Sequence, residues 1–210
     1  MKIVCDFDGT VTPFDTTDAL LERFAAPEWK DVEAIWVAGE ITSLECMARQ
    51  IPMIRASRRE LDAFIDTIPL TPGFAEFVAF CRERGWSLCV ISDGLDYTIH
   101  RVLANHGFAD IPVAANHLVF ADDGYALTFP RAREGCRFGM CKCDVADVER
   151  NEVVMIGDSR SDTCIAGKAA YVYARRGMPM EAYCIENNIT YTPYDDFYDV
   201  LKGIAPLTTP

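Results

Sequence analysis

Apolar and polar positions follow two different periods along the chain. Residues 2–7 (KIVCDF) form a short, mostly apolar run, which predicts a buried strand that ends at Asp6. From about residue 15 to residue 68, apolar residues instead recur every three or four positions in four successive stretches, DTTDALLERFA, EWKDVEAIWVAGE, SLECMARQI and SRRELDAFIDTI. This spacing predicts four consecutive helices. Asp15, Ser43 and Ser57 are the predicted N-caps, and Gly39 is predicted to end the second helix.

After Pro72-Gly73, helical and strand periods alternate. FAEFVAFCRERG predicts a helix that ends at Gly85, and WSLCVIS predicts a buried strand. The later predicted elements are a helix in LDYTIHRVLANHG, strands in IPVAAN, VVMIGD and YVYA, and helices in SDTCIAGKA, MEAYCIENN and DDFYDVLKGI. Strands that alternate with helices predict an α/β fold, with a parallel sheet covered on both faces.

Residues 117–129 (HLVFADDGYALTF) depart from this alternation. They place Asp122-Asp123-Gly124 between two runs of alternating apolar residues, which predicts a β-hairpin. The whole chain is therefore expected to be an α/β core with a helical insertion after its first strand.

The composition is that of an ordinary globular protein. The chain has 210 residues, of which 50% are hydrophobic and 25% are charged. It contains neither an apolar run of roughly 18–20 residues nor the pattern of a signal peptide, so we expect no membrane association and a cytoplasmic location. Nine cysteines, several of them in apolar stretches, argue against a disulfide framework.

The formal net charge of −12 restricts the possible partners. A long-range negative field repels polyanions, so we expect no nucleic acid and no anionic membrane as a partner. A small anionic substrate requires local cations to overcome the same field. Charge does not define the oligomeric state, and a monomer or a homodimer is expected.

Acidic residues follow three of the predicted strands. Asp6 and Asp8 follow the first strand, Ser92-Asp93-Gly94 ends the second, and Asp158 ends the strand VVMIGD, with Asp162 four residues later. In doubly wound sheets, ligands bind at the carboxyl ends of the strands. Unpaired buried carboxylates are strongly disfavoured, so a group of them requires a compensating cation.

Magnesium suits such a group, because it binds through one or two carboxylates, waters and phosphate oxygens. Ser92, Lys142 and the backbone amides freed by Gly9 and Gly94 could then hold phosphate oxygens. The sequence therefore predicts a site of phosphoryl transfer.

The motifs DFDGT, ISDG, a lone lysine and GDSRSD, in this order, resemble those of the haloacid dehalogenase superfamily. The resemblance implies a Rossmann-like core formed by residues 1–14 and 70–210, and a helical (C1-type) cap formed by residues 15–69. It further implies that Asp6 is the nucleophile that forms an aspartyl-phosphate. Asp8 would be the acid that protonates the leaving alcohol and then the base that activates water.

The same resemblance implies the remaining roles. Asp158 would bind Mg²⁺ beside the Asp6 carboxylate and the Asp8 backbone carbonyl, and Asp162 would lie in the outer shell of the metal or bind it directly. Ser92 and Lys142 would hold the phosphate, together with the loop Ser92-Asp93-Gly94. In this loop Asp93 departs from the Ser-Gly-Gly common among relatives.

The helical insertion resembles the cap of the phosphoserine phosphatase branch. The segments FAAPEW, NHLVF, CKC and YTPYDDFYDV resemble a group that contains an enzyme of methionine salvage, 2-hydroxy-3-keto-5-methylthiopentenyl-1-phosphate phosphatase. Other metabolite phosphates, such as phosphoserine, thiamine phosphate and phosphocholine, are alternative substrates. Asp15, Arg49 and Arg55 are the predicted cap residues that read the substrate.

Two other functions are compatible with these residues. A phosphotransferase would pass the phosphoryl group to an alcohol instead of water, and this choice depends on whether water is admitted. A silent phosphate-binding module would have no need of both Asp6 and Asp8.

Overall fold

The computed structural model describes residues 1–122, 124–148 and 152–204. Its strands are β1 (Lys2–Cys5), β2 (Ser87–Leu95), β3 (Val113–Ala121), β4 (Gly124–Thr128), β5 (Val153–Gly157), β6 (Tyr171–Arg175) and β7 (Thr192–Tyr194). Within these residues the strands form one sheet in the order β4-β3-β2-β1-β5-β6-β7. The pairs β1/β2, β1/β5, β5/β6 and β6/β7 are parallel, and β3/β4 is antiparallel. The predicted α/β fold with a largely parallel sheet is confirmed.

Ten α-helices accompany the strands in the described residues. They are α1 (Thr16–Phe24), α2 (Trp29–Val37), α3 (Ser43–Gln50), α4 (Arg58–Ile65), α5 (Phe74–Glu83), α6 (Asp96–Asn105), α7 (Lys142–Ala146), α8 (Thr163–Ala166), α9 (Pro179–Glu186) and α10 (Phe197–Ile204). No helix among these residues combines the length and the apolar character that crossing a bilayer requires.

The four predicted helices of the insertion are confirmed as α1 to α4. Asp15 and Ser57 cap α1 and α4 as predicted, since each side chain accepts a hydrogen bond from a backbone amide of the first turn. The prediction for α3 was wrong by one residue, because Thr42 is the N-cap and Ser43 is the first helical residue. Thr42 and Glu45 form a reciprocal capping box, which satisfies two free amides at once.

Two strand predictions needed correction. Residues 111–116 and the first arm of the hairpin were predicted as separate elements, but β3 runs through both. The hairpin itself is confirmed, with His117 paired to Thr128 and Ala121 to Gly124, while Asp123 lies outside the described residues. β7 was not predicted, because it is three residues long and contains Pro193, which is tolerated in an edge strand.

The chain forms two compact units. The first contains residues 1–13, 69–91 and 142–210, and the second contains residues 14–68 and 92–141. The predicted division into a catalytic core (1–14 and 70–210) and a helical cap (15–69) stays a prediction.

The core of the first unit is built around β1 and β5. Residues Ile3 to Cys5 and Val153 to Ile156 are at most 1% exposed, as expected for strands covered on both faces. Helices α5 and α10 pack together through Phe197, whose ring centroid lies 5.0 Å from that of Phe74 and 5.2 Å from that of Phe77. This apolar core fixes the ends of β1 and β5, which carry Asp6 and Asp158.

Candidate active site

Asp6 lies directly after β1, where the chain leaves the sheet. Its side chain is buried, and its Oδ1 accepts a hydrogen bond from the backbone amide of Phe7 at 2.7 Å. The following turn, Phe7–Val11, passes through Gly9 with φ of +69°, a conformation that glycine adopts without strain. The turn directs the chain back at the strand end and leaves the second carboxyl oxygen of Asp6 for other contacts.

Asp158 occupies the equivalent position after β5. It is 4% exposed, and its Oδ1 accepts a hydrogen bond from the Thr10 hydroxyl at 3.0 Å. A Cβ atom at Gly9 would lie 2.3 Å from Asp158 Oδ2, so only glycine allows this close approach. The DFDGT turn and the end of β5 are therefore fitted to each other.

Asp162 organises the turn that follows Asp158. Its Oδ2 accepts hydrogen bonds from the backbone amides of Asp158, at 3.1 Å, and of Ser159, at 2.9 Å. A Cβ atom at Gly157 would lie 2.5 Å from the same oxygen. The GDSRSD motif thus forms a closed turn around the Asp162 carboxylate.

Lys142, the first residue of α7, joins these carboxylates. Its side chain is fully buried, and its Nζ lies 2.8 Å from Asp6 Oδ2 and 2.6 Å from Asp162 Oδ1. Burial alone would lower the pKa of the ammonium, but the carboxylates of Asp162 and Asp6 raise that pKa above its usual value. Lys142 is therefore a permanent cation that holds both acids.

Asp6, Asp158 and Asp162 each offer an oxygen within 4.8 Å of the other two. Burial, followed by the neighbouring carboxylates of Asp162 and Asp158, raises the pKa of Asp6 well above its usual value, and Lys142 offsets only part of this rise. With all groups ionised, three carboxylates and one ammonium leave two negative charges. A group of hard oxygen ligands with this charge suits a divalent cation such as Mg²⁺.

Asp8 lies two residues after Asp6 along the chain. Its backbone is extended, with φ of −64° and ψ of 129°, and its side chain is half-buried. The predicted roles of Asp8 as acid, base and backbone metal ligand stay predictions, as does phosphate binding by the amide of Gly9.

The predicted phosphate loop, Ser92-Asp93-Gly94, ends β2 in the second unit. Ser92 is buried, and its Oγ accepts a hydrogen bond from the backbone amide of Gly94 at 3.0 Å. The Asp93 carboxylate accepts hydrogen bonds from Ser43 and Asn116. Phosphate binding by this loop stays a prediction.

The three predicted substrate-reading residues also lie in the second unit. The Asp15 carboxylate is occupied as the N-cap of α1, where it accepts a hydrogen bond from the amide of Asp18 at 2.9 Å. Arg49 and Arg55 are exposed, and Arg55 donates to the backbone oxygens of Pro52 and Ile54. Their part in substrate recognition stays a prediction.

The sequence analysis did not assign roles to several polar residues that support the cluster. Ser159 Oγ lies 3.2 Å from Asp6 Oδ2, and Tyr194 Oη lies 3.2 Å from Thr10 Oγ1 and 3.3 Å from the oxygen of Gly157. Arg175 donates hydrogen bonds to the backbone oxygens of Gly9 and Pro13. Thr10 and Ser159 stand inside the quoted motifs and could have been found there. Tyr194 stands in the quoted segment YTPYDDFYDV, but nothing in that segment indicates a contact with Thr10, and Arg175 carries no sequence signal.

Comparison with known proteins agrees with this geometry. The family model of haloacid dehalogenase-like hydrolases matches residues 3–167, a range that includes Asp6, Lys142, Asp158 and Asp162. The chain belongs to this family. The predictions of the family and of a phosphatase are thereby confirmed.

Several curated relatives of this haloacid dehalogenase-like hydrolase carry one name. 2-Hydroxy-3-keto-5-methylthiopentenyl-1-phosphate phosphatase of Brevibacillus brevis is 32% identical, over 96% of this chain and 94% of the relative. The enzyme of that name from Geobacillus thermodenitrificans is 31% identical, over 99% of this chain and 96% of the relative.

Solved structures of the family share the fold. A phosphoserine phosphohydrolase-like protein from Francisella tularensis has a TM-score of 0.71 at 20% identity, covering 97% of this chain and all of that one. A phospho-aspartyl intermediate analogue of phosphoserine phosphatase has a TM-score of 0.72 at 19% identity, covering 96% and 97% of the two chains.

Proposed function

We propose that this phosphatase is Mg²⁺-dependent and hydrolyses a small phosphate monoester through a phosphoryl group carried by Asp6. The observation that supports this proposal most is the buried cluster at the ends of β1 and β5. It brings the Asp6 carboxylate, the ammonium of Lys142 and two further acids together, with oxygens of the three acids within 4.8 Å of one another. The family match over these residues supports the same chemistry.

The residues present fit Mg²⁺. Two uncompensated negative charges remain after Lys142 is counted, and oxygen is the ligand type that this ion prefers. Asp6 and Asp158 would hold the ion. When bound, it would neutralise charge on the phosphoryl group and on the nucleophile.

Asp162 supports the site through other atoms. Its Oδ1 contacts Lys142, and its Oδ2 accepts from two backbone amides. Because both oxygens already have protein donors, we assign Asp162 to the positioning of Lys142 and of the turn, outside the direct ligands of the metal.

The other steps use residues of this chain. The Asp6 carboxylate attacks phosphorus, and the bond from phosphorus to the ester oxygen breaks. Asp8 gives its proton to the departing alcohol and then takes a proton from the water that attacks the aspartyl-phosphate. The bond from phosphorus to the Asp6 oxygen then breaks, which releases inorganic phosphate and restores the free carboxylate. Lys142 orients Asp6 and favours its ionised form before the attack, and Ser92 would bind a phosphate oxygen.

The substrate we propose is 2-hydroxy-3-keto-5-methylthiopentenyl-1-phosphate, in methionine salvage. The support is the shared name of relatives that align with nearly the whole chain at about 30% identity. An acidic protein of this kind has a small phosphorylated metabolite as its partner, and a nucleic acid is not expected.

A second candidate is an ester whose leaving group carries a positive charge, such as phosphocholine or thiamine phosphate. The observation that favours it is an acidic cluster in the second unit, formed by Asp15, Asp18 and Glu33. The surrounding protein desolvates Asp18 and, with Asp15 and Glu33, raises its pKa to about 7. A positively charged group would relieve the repulsion among these acids.

Phosphate release by wild type, Asp6→Asn and Asp31→Asn, with and without Mg²⁺, tests the proposal. Asp31 is exposed, so its variant makes the same chemical change away from the cluster. The panel contains the methylthiopentenyl phosphate, phosphoserine, phosphocholine and thiamine phosphate. We expect Mg²⁺-dependent release by wild type and Asp31→Asn only, and the ester with the highest kcat/KM identifies the leaving group.

Three results would contradict the proposal. Release that persists in Asp6→Asn would exclude Asp6 as the nucleophile. Transfer of phosphate to an added alcohol in preference to water would identify a phosphotransferase, and tight ester binding without turnover would identify a phosphate-binding module.

A further inference from the structure

The carboxylate of Asp93 accepts hydrogen bonds from residues of the second unit. Asp93 lies in the last part of β2, between Ser92 and Gly94, and is half-buried. The sequence analysis counted it with the phosphate-binding residues. A carboxylate offers only acceptors when ionised and would repel a phosphate, so its contacts require another explanation.

Three donors from separate segments meet at the Asp93 carboxylate. The Ser43 hydroxyl, at the start of α3, lies 2.5 Å from Oδ2. The Asn116 side-chain amide, in β3, lies 3.0 Å from Oδ1, and the backbone amide of Met140 lies 2.9 Å from the same oxygen. Hydrogen bonds to an ionised acceptor are stronger than neutral ones, so these contacts fix the segments relative to β2.

The partners of Asp93 are themselves held firmly. Ser43 is 7% exposed, and Asn116 and Met140 are fully buried. A Cβ atom at Gly139 would lie 2.8 Å from Asn116 Oδ1 and 2.5 Å from the Phe129 ring, so the segment before Met140 packs closely on Asn116. Such an arrangement is rigid, because its members cannot shift independently.

The same contacts define the backbone of the phosphate loop. The Asn116 amide also donates to the backbone oxygen of Asp93 at 2.6 Å, and the Gly94 amide donates to Ser92 Oγ at 3.0 Å. Met140 precedes Lys142 by two residues along the chain. Asp93 therefore connects the loop that carries Ser92 with the segment that leads into Lys142.

We propose that Asp93 is a positioning residue that holds the loop Ser92-Asp93-Gly94 in its phosphate-binding conformation, through Ser43, Asn116 and Met140. This inference rests on the proposed phosphatase function, and it assigns Asp93 no contact with the phosphate.

The test compares Asp93→Ala, Asp93→Asn, Ser43→Ala and the surface control Asp31→Ala. Asparagine offers a carbonyl oxygen to Asn116 and Met140 and an amide to Ser43, so it can keep all three contacts. The measurements are KM and kcat for the best ester, the inhibition constant of inorganic phosphate, and amide hydrogen exchange of residues 92–95 and 137–141.

In Asp93→Ala we expect KM and the inhibition constant of phosphate to rise by about tenfold or more, with a smaller change in kcat. The same factor should apply to every ester, and exchange in both segments should be faster. Asp93→Asn should recover at least half of the loss on a logarithmic scale. Ser43→Ala should show a smaller change in the same direction, and Asp31→Ala should match wild type.

The proposal is overturned by the following combination of results. Asp93→Asn raises KM as much as Asp93→Ala does, and both variants do so only for esters with a cationic group. The inhibition constant of phosphate and the amide exchange rates stay at their wild-type values. That pattern would show a direct contact with the substrate. If Asp93→Ala does not fold, Ser43→Ala decides, and unchanged KM and exchange in that variant overturn the proposal. Absence of turnover in wild type would instead refute the proposed function, while the exchange measurements would still test the role of Asp93.

Discussion

The replacement Gly9→Ala tests how closely the DFDGT turn and Asp158 are fitted to each other. Gly9 has φ of +69°, and a Cβ atom there would lie 2.3 Å from Asp158 Oδ2 and 2.8 Å from its Cγ. Atoms do not approach so closely, so the alanine variant must displace the carboxylate or the turn. Displacement of Asp158 breaks its hydrogen bond with the Thr10 hydroxyl.

Gly85→Ala is the matched control. Gly85 has φ of +64°, nearly the same as Gly9, but a Cβ atom there would meet nothing within 4 Å. Alanine in this left-handed conformation costs about 1–2 kcal/mol, and both variants include this cost. Loss of the buried hydrogen bond from Thr10 to Asp158 adds about 1–3 kcal/mol in Gly9→Ala alone. The free energy of unfolding should therefore fall by about 2–5 kcal/mol in Gly9→Ala.

Thermal and urea unfolding of the two variants and wild type, each with and without Mg²⁺, measures these changes. For a chain of this size, 1 kcal/mol corresponds to a Tm change of about 2–4 °C. Ligands that bind the folded state alone stabilise it, so Mg²⁺ should raise the Tm of wild type and of Gly85→Ala. Gly9→Ala should lose most of this increase, because its Asp158 carboxylate is displaced.

Equal destabilisation of the two variants would refute this reasoning, since the contact with Asp158 would then contribute nothing. If Mg²⁺ raised the Tm of Gly9→Ala as much as that of wild type, Asp158 would not be a Mg²⁺ ligand that this turn positions.

Three further predictions follow from the same cluster and from the second unit. Lys142→Met should lower kcat/KM by at least about 100-fold and the free energy of unfolding by about 3–5 kcal/mol, because it leaves two buried carboxylates without their ammonium. Lys142→Arg is the control. Unchanged kinetics in Lys142→Met would contradict the proposed role of Lys142 beside Asp6. Tyr194→Phe should lower the free energy of unfolding in urea by about 1 kcal/mol, since Thr10 loses a hydrogen-bond partner. Asp18 has a folded pKa of about 7, above its unfolded value, so the protonated form stabilises the fold and this stability is lost as the pH rises from about 4 to 7. Because solvent still reaches the side chain, Asp18→Asn should stabilise the protein by at most about 1 kcal/mol at pH 8 and by less at pH 5. An equal effect at both pH values would refute this prediction.

The position of the acidic cluster could be predicted from the sequence because the geometry of parallel sheets is strict. Strands of such a sheet end at the same edge, so acids that follow β1 and β5 must lie close together even when 150 residues separate them. The structure brings Asp6, Asp158 and Asp162 together as this rule requires. Lys142 begins a helix and follows no strand, so its contacts with Asp6 and Asp162 do not follow from this rule.

Other features depend on contacts that no local pattern records. The N-cap of α3 was placed one residue late, because Thr42 and Ser43 are both good capping residues and only the reciprocal contact with Glu45 distinguishes them. Tyr194 contacts Thr10 although 184 residues separate them in the sequence. Its segment forms an edge strand through pairing with β6, and this pairing is not visible in the local sequence. Such residues are selected by tertiary packing, which overrides local propensity.

Asp93 shows how the same limit affects functional reasoning. Its position in a strand-end loop, beside Ser92, suggested a role at the phosphate, since the sequence reveals only chain neighbours. Its donors lie 50, 23 and 47 residues away, at Ser43, Asn116 and Met140. An acid at a phosphate site must be compensated by donors or by a cation, and here protein donors fill that role. The Asn116 amide that holds the carboxylate also holds the backbone oxygen of Asp93, so in our proposal this acid orders the loop and does not contact the phosphate.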